Sequence, residues 1–193
     1  MTPPDRQPSL PSAGDVLAYW RALGPERWFA ADAAIDAEIR YKFRDLYTAA
    51  MAGSLVHWED DASGALANVI VLDQFPRNMF RDSAAAFAAD ALARAVAGRA
   101  IERGFDREVA EAERPFFYLP YMHSEALADQ QRCCELCRAA GDEGTLKYAE
   151  HHADIIRRFG RFPHRNAVLG RLTTPEEAAF LDGAGLAGER PTK

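Results

Sequence analysis

The stretch DAAIDAEIRYKFRDLYTAAMAG, residues 32–53, decides the fold class. Its apolar residues Ile35, Ile39, Phe43, Leu46 and Ala50 recur every three or four positions, the spacing of one face of an α-helix. Asp32 stands where an N-cap carboxylate accepts from free backbone N–H groups, and Gly53 where a helix stops.

The same period extends outward in both directions. A helix is expected from about Ser12 to Leu23, stopped by Gly24-Pro25. Another is expected from near Ser63 to Phe75, ending there because the residue before Pro76 is pushed out of the helical region. Its apolar residues run nearly all round, which predicts the most buried helix. Further helices are expected from Asp82 or Ser83 to about Arg103, from Asp106 to Arg114, from Ser124 to Ala140, and from Thr145 to Phe159. Thr174-Pro175-Glu176-Glu177 combines a capping box with proline at the first helical position. No alternating strand pattern and no Asn-Gly or Asp-Gly hairpin signal occurs. The reading is all-α: antiparallel helical hairpins of about eight or nine helices, in a single domain over residues 12–182. A Pro-rich arm (1–11) and a Gly-rich polar tail (183–193) are expected to be flexible.

Charge and composition narrow the function classes. With 29 acidic against 23 basic residues the net charge is −6, opposite to the cationic excess that nonspecific nucleic-acid binding draws on. No apolar leader segment and no stretch of membrane-spanning length is found, so a cytoplasmic location is expected. Cys133, Cys134 and Cys137 form one odd-numbered cluster, which fits buried small hydrophobes better than a disulfide framework or a zinc site. His151 and Asp154 share a helix face, but the Glu-x-x-His pairs of bundle metal sites are missing, so no metal or other cofactor is expected. A nucleophile elbow and a glycine-rich phosphate loop are likewise missing.

Three segments are too polar and aromatic for plain connectors: Leu72 to Arg81 (LDQFPRNMFR), Phe116 to Glu125 (FFYLPYMHSE), and Arg157 to Asn166 (RRFGRFPHRN). The first and third echo each other. Phe75-Pro76-Arg77-Asn78 matches Phe162-Pro163-His164-Arg165-Asn166 with one inserted histidine. From Ile155 to Leu172 the chain carries arginines at 157, 158, 161, 165 and 171 together with His164, and no acidic residue. Arginine forks and asparagine donors at helix entrances suit carboxylate or phosphate groups. Alone, each of these residues also has an ordinary role: Phe-Pro ends helices, Asn caps them, Arg satisfies last-turn carbonyls, and Asp73 would pair with an arginine as a buried bridge.

These blocks also resemble the signature segments of an uncharacterised bacterial family, a domain of unknown function with a tetratricopeptide-like, all-helical fold. The resemblance runs over roughly residues 14–182. It implies the fold and no activity.

The functional expectation is one site for a small anionic ligand, a carboxylate or a phosphate, or for an acidic peptide end. Arg77, Asn78, Arg81, Tyr118, Arg161, Arg165 and Asn166 would bind it. His123 or His164 would transfer any proton, with Glu125 orienting. The alternative is a protein-interaction module that takes a peptide in a concave groove. Interaction arrays repeat with a period of roughly 34 residues. Here the echo occurs once, with Arg77 and Arg165 standing 88 residues apart, which favours a discrete site. Nothing in the sequence decides whether the site is catalytic, or what the oligomeric state is.

Overall fold

The computed structural model describes residues 9–183; most of the expected arm and tail lie outside them. The fold is all-helical, without a strand among the described residues.

Helix α1 (Ala13–Leu23) starts at Ser12, whose hydroxyl accepts from Asp15 N–H at 3.2 Å while the Asp15 carboxylate accepts from Ser12 N–H at 2.8 Å. Gly24 ends it, and one turn, α2 (Pro25–Trp28), follows. Helix α3 (Ala33–Met51) is capped by Asp32 as its sequence predicts, and it buries Ile35, Ile39, Phe43, Leu46 and Ala50.

Helix α4 (Ala62–Val69) carries the fold's centre and buries seven of its eight residues. Gly64 allows the preceding turn to lie against it: a Cβ there would stand 2.1 Å from the Trp58 carbonyl oxygen. The helix does not end before Pro76, as the sequence suggests. It widens into a π-turn (Ile70–Gln74), in which Phe75 N–H reaches back five residues to the Ile70 carbonyl, and runs on as α5 (Phe75–Met79). The wider turn places Pro76 in the first turn of a new helical segment, where its missing N–H costs little. Phe75 then sits in the aromatic core, stacked on Phe43 at 4.7 Å and edge-on to Trp20 at 5.8 Å.

Several helix starts differ from expectation, each for a local reason. The chain after α5 does not enter a helix at Asp82, whose φ is +60°; it makes a 3-10 turn (Ala84–Phe87) before α6 (Asp90–Glu102). Asp106 caps no helix but accepts the Tyr118 hydroxyl at 2.8 Å. The aromatic segment folds as a 3-10 turn (Arg114–Phe117) and a single turn, α7 (Leu119–Met122). Ser124 closes a turn by accepting from Ala126 N–H, so α8 (Leu127–Ala140) begins three residues later than expected. Asp142, not Thr145, caps α9 (Glu143–Phe159), its carboxylate accepting from Thr145 N–H at 2.9 Å. At α10 (Pro175–Gly183) the expected capping box is present, with both Thr174–Glu177 bonds formed.

Helices α8 and α9 form an antiparallel hairpin turned by left-handed Gly141, and the three cysteines lie buried as free thiols on α8. Elsewhere helices of 4 to 19 residues alternate with 3-10 turns, so the described residues are not a regular succession of equal hairpins. No helix among them is long and apolar enough to cross a membrane. Most buried apolar side chains form one core; Ile155, Ile156 and Phe162 form a smaller cluster, against which Phe159 and Phe180 pack.

Candidate functional site

The π-turn aims Asp73 into the protein, where its side chain has no solvent exposure. A carboxylate cannot be left there unpaired, and three groups answer it. His123, at the end of α7, brings Nδ1 to 2.9 Å from Oδ1. Gln74 donates from Nε2 to Oδ2 at 2.6 Å. Arg77, one turn on in α5, has Nη1 at 3.4 Å from Oδ1 and donates from it to the Asp73 carbonyl. The second Phe-Pro turn arrives from the other side. From the 3-10 turn Pro163–Arg165, Arg165 donates Nη1 to the His123 carbonyl at 3.0 Å. Its guanidinium lies between the rings of Phe87 and Phe162, 4.5 Å from each centroid. Asp90 sits between the two arginines, accepting from Arg77 Nη2 at 3.0 Å and lying 3.8 Å from Arg165 Nη1.

The electrostatics follow from this packing. Burial works to raise the Asp73 pKa, but the Arg77 charge and the His123 and Gln74 donors outweigh it and hold the carboxyl at about 2. Burial lowers the His123 pKa, the Arg77 charge lowers it further, and Asp73 only partly offsets both. At neutral pH the pair is therefore an ionised carboxylate beside a neutral imidazole. An ionised carboxylate can only accept, so Nδ1 carries the ring proton and Nε2 keeps its lone pair. That tautomer is the one a proton acceptor needs.

The structure thus brings together three of the residues singled out in the sequence: Arg77, His123 and Arg165. The others lie in separate networks. Asn78 and Arg81 both bind Asp36 of α3, Asn78 through one bond of 2.8 Å and Arg81 through a fork of 2.6 and 2.8 Å. Arg161 makes a similar fork to Glu177 of α10, which also accepts from Asn166 at 3.2 Å. Glu125 accepts from Phe162 N–H at 2.8 Å and from both ends of Arg171. Tyr118 is buried against Asp106, and His164 is exposed, its ring 5.5 Å from that of Phe162. Asp90 and Gln74 complete the cluster without having been singled out. The sequence signal for Asp90 is slight, an acidic residue opening an alanine-rich helix.

A groove of about 590 Å³ between α8 and α9, lined by Gln131, Cys134, Arg138, Glu150 and Arg157 among others, lies elsewhere. Its cations already pair, Arg138 with Glu150 and Arg157 with Asp154.

Helical packing around a buried Asp–His pair, with an arginine from each of two Phe-Pro turns, defines an all-α domain with a polar centre. The chain belongs to a bacterial protein family of unknown function, DUF924, whose model matches residues 16–185. It is similar to a solved structure, a protein of unknown function, ATU0120, from Agrobacterium tumefaciens. The two are 48% identical with a TM-score of 0.85, over 88% of this chain and 96% of that one. No curated protein matches the chain.

Proposed function

We propose that the Asp73–His123 pair and its two flanking arginines form a site for a small anionic molecule, at which His123 accepts or returns a proton. The observation that carries this reading is the convergence of Arg77 and Arg165, from turns 88 residues apart, on the two halves of one buried dyad. A buried ion network of this kind contributes little net stability compared with a well-packed apolar core, so stability alone does not account for it. A buried carboxylate holding a neutral histidine in one tautomer is a recurrent means of making a proton acceptor. The π-turn that delivers Asp73 points the same way, since such turns often mark functional positions in helices. Arg77 and Arg165 would hold the ligand's negative charge, and Gln74 would keep the Asp73 carboxylate oriented.

The test is a thermal-shift screen at low salt with anionic metabolites and short acidic peptides. A ligand at 100 times its Kd stabilises by about 2.7 kcal/mol, roughly 5–10 °C for a chain of this size. The expected hit disappears in Arg77→Ala and in Arg165→Ala while both variants remain folded. A hit that survives in both folded variants, or silence across the panel, contradicts this reading.

A further inference from the structure

We infer that Gln130 is a positioning residue of the site, holding His123 in place against Asp73 by binding the main-chain carbonyls on either side of it. This rests on the proton-acceptor reading of His123 proposed above and adds the residue on which that acceptor is mounted.

His123 needs such a mount. It follows α7, a single helical turn of four residues, too short to be stable by itself. A helix that ends at Met122 leaves its last carbonyls without the partners a longer helix would supply, and α8 starts only at Leu127. Those oxygens converge on one side chain. Gln130 donates from Nε2 to the Met122 and Ser124 carbonyls at 2.6 Å each, and reaches the Tyr121 carbonyl at 3.4 Å. All three oxygens are acceptors, so only the NH2 end of the amide can face them. The carbonyl between the two short bonds, that of His123 itself, takes Arg165 at 3.0 Å. Every carbonyl from Tyr121 to Ser124 is thus bound by a side chain, while the ring they carry bonds Asp73 at 2.9 Å.

The residue before Gln130 holds the same turn by its side chain. Asp129 accepts the Ser124 hydroxyl at 2.6 Å and pairs with Arg94 of α6 at 3.0 Å. The first turn of α8 is therefore tied to α6 and carries the turn of His123 with it.

Gln130 is fully buried, and its Oε1 accepts from no described residue, so the three bonds are made at a cost in stability. What they secure is the place and surroundings of an imidazole. Asp73, Arg77 and Asp90 act on that ring by charge, and Arg165 binds its carbonyl. Gln130 adds no charge and bonds the main chain rather than the ring. Carbonyl oxygens left bare beside His123 would draw in water and favour a positive ring; bound to Gln130, they do neither.

The experiment follows the His123 ring by side-chain NMR in the free protein, with the signal assigned by its loss in His123→Gln. Gln130→Met keeps the volume and removes the donors. Leu146→Ala, a buried truncation near the closed end of the α8–α9 hairpin, is the comparison variant destabilised elsewhere. In Gln130→Met the titration midpoint of His123 is expected to move up toward the ordinary 6.5, and its proton to exchange between Nδ1 and Nε2. Wild type and Leu146→Ala are expected to keep the lower midpoint and the single tautomer. If Gln130→Met does not fold, Gln130→Asn, whose amide is one carbon short of the carbonyls, decides by the same comparison. A midpoint and tautomer unchanged in the Gln130 variant, or changed equally in Leu146→Ala, overturn the proposal and leave Gln130 a cap of the turn alone. No ligand is added, so failure of the anion screen leaves this result standing. Conversely, an unmoved His123 refutes the role of Gln130 even where an anion binds.

Discussion

The side chains of Asp73 and His123 meet at 2.9 Å, and the backbone carbonyl of each is held by an arginine from a different Phe-Pro turn. Arg77 thus fixes the acid and Arg165 fixes the base, so a displacement of either turn reaches the hydrogen bond between them.

The dyad makes stability fall with acid in two windows. Because the folded pKa of His123 is lowered from 6.5, the unfolded chain takes the proton first. The corresponding stability is present above about pH 6.5 and is lost as pH falls toward the folded value. Asp73, at about 2 against 3.8, adds a second contribution, present above 3.8 and lost as pH falls through 2. That second shift is worth about 2 kcal/mol. Urea unfolding from pH 8 to pH 3 is expected to show the first loss in wild type and its absence in His123→Gln. An unchanged loss between pH 7 and 5 in that variant would exclude His123 as its source.

Truncating the acid should cost far more than neutralising it. Asp73→Ala leaves the Arg77 charge and the donors of His123 and Gln74 facing an empty space, a destabilisation of about 3–5 kcal/mol. Asp73→Asn keeps an acceptor in place and should lose less than half as much in the same urea titration. Equal losses would mean that shape, not the carboxylate network, sets the stability here.

Gly64 tests the packing that carries the site. A methyl group there would meet the Trp58 backbone, 2.1 Å from its oxygen and 2.9 Å from its carbon. Ordinarily Gly→Ala inside a helix gains up to about 1 kcal/mol. At this position the backbone would have to move, and a net loss of about 2–3 kcal/mol is expected in Gly64→Ala. A more stable variant would show that the turn Val56–Asp60 does not rest on α4.

The segment from Gly160 to Thr174 is tied to the turn before α8 by Glu125, which binds Phe162 N–H and Arg171. Substituting Glu125 by Ala should speed amide exchange across residues 160–174 while the middle of α9 stays protected. Uniform acceleration through α8 and α9 would mean that the segment does not open on its own.

Helix identity was legible in the sequence at the strongest local signals, while the starts expected at Asp106, Ser124 and Thr145 were misplaced. Asp32, Gly141, Gly160 and the Thr174–Glu177 box act at their own helix ends, and the buried face of α3 follows its period. The passage through Pro76 was not legible, because a π-turn answers to the packing of Phe75 rather than to local pattern. The candidate site was half visible. Arg77, His123 and Arg165 stood out by residue type and by the echoed turns. The buried bridge from Asp73 to an arginine was legible too, since Arg77 stands one turn away, whereas the meeting of Asp73 with His123 across 50 residues and of Asp36 with Arg81 across 45 was not. For the same reason Arg81 and Arg161 looked equivalent to Arg165 in sequence, while in the fold each is forked onto a carboxylate of its own.

The most direct measurement is the histidine side-chain NMR spectrum, with His123 assigned by its loss in His123→Gln, during titration with the anion that stabilises the protein. At pH 7 the expected spectrum has His123 protonated at Nδ1 and bare at Nε2. Its ring signals should shift saturably, with the midpoint found in the thermal melts, and the exposed His164 should stay unmoved. A stabilising anion that leaves the His123 signals in place, or a His123 ring already charged at pH 7, would contradict the assignment of the site.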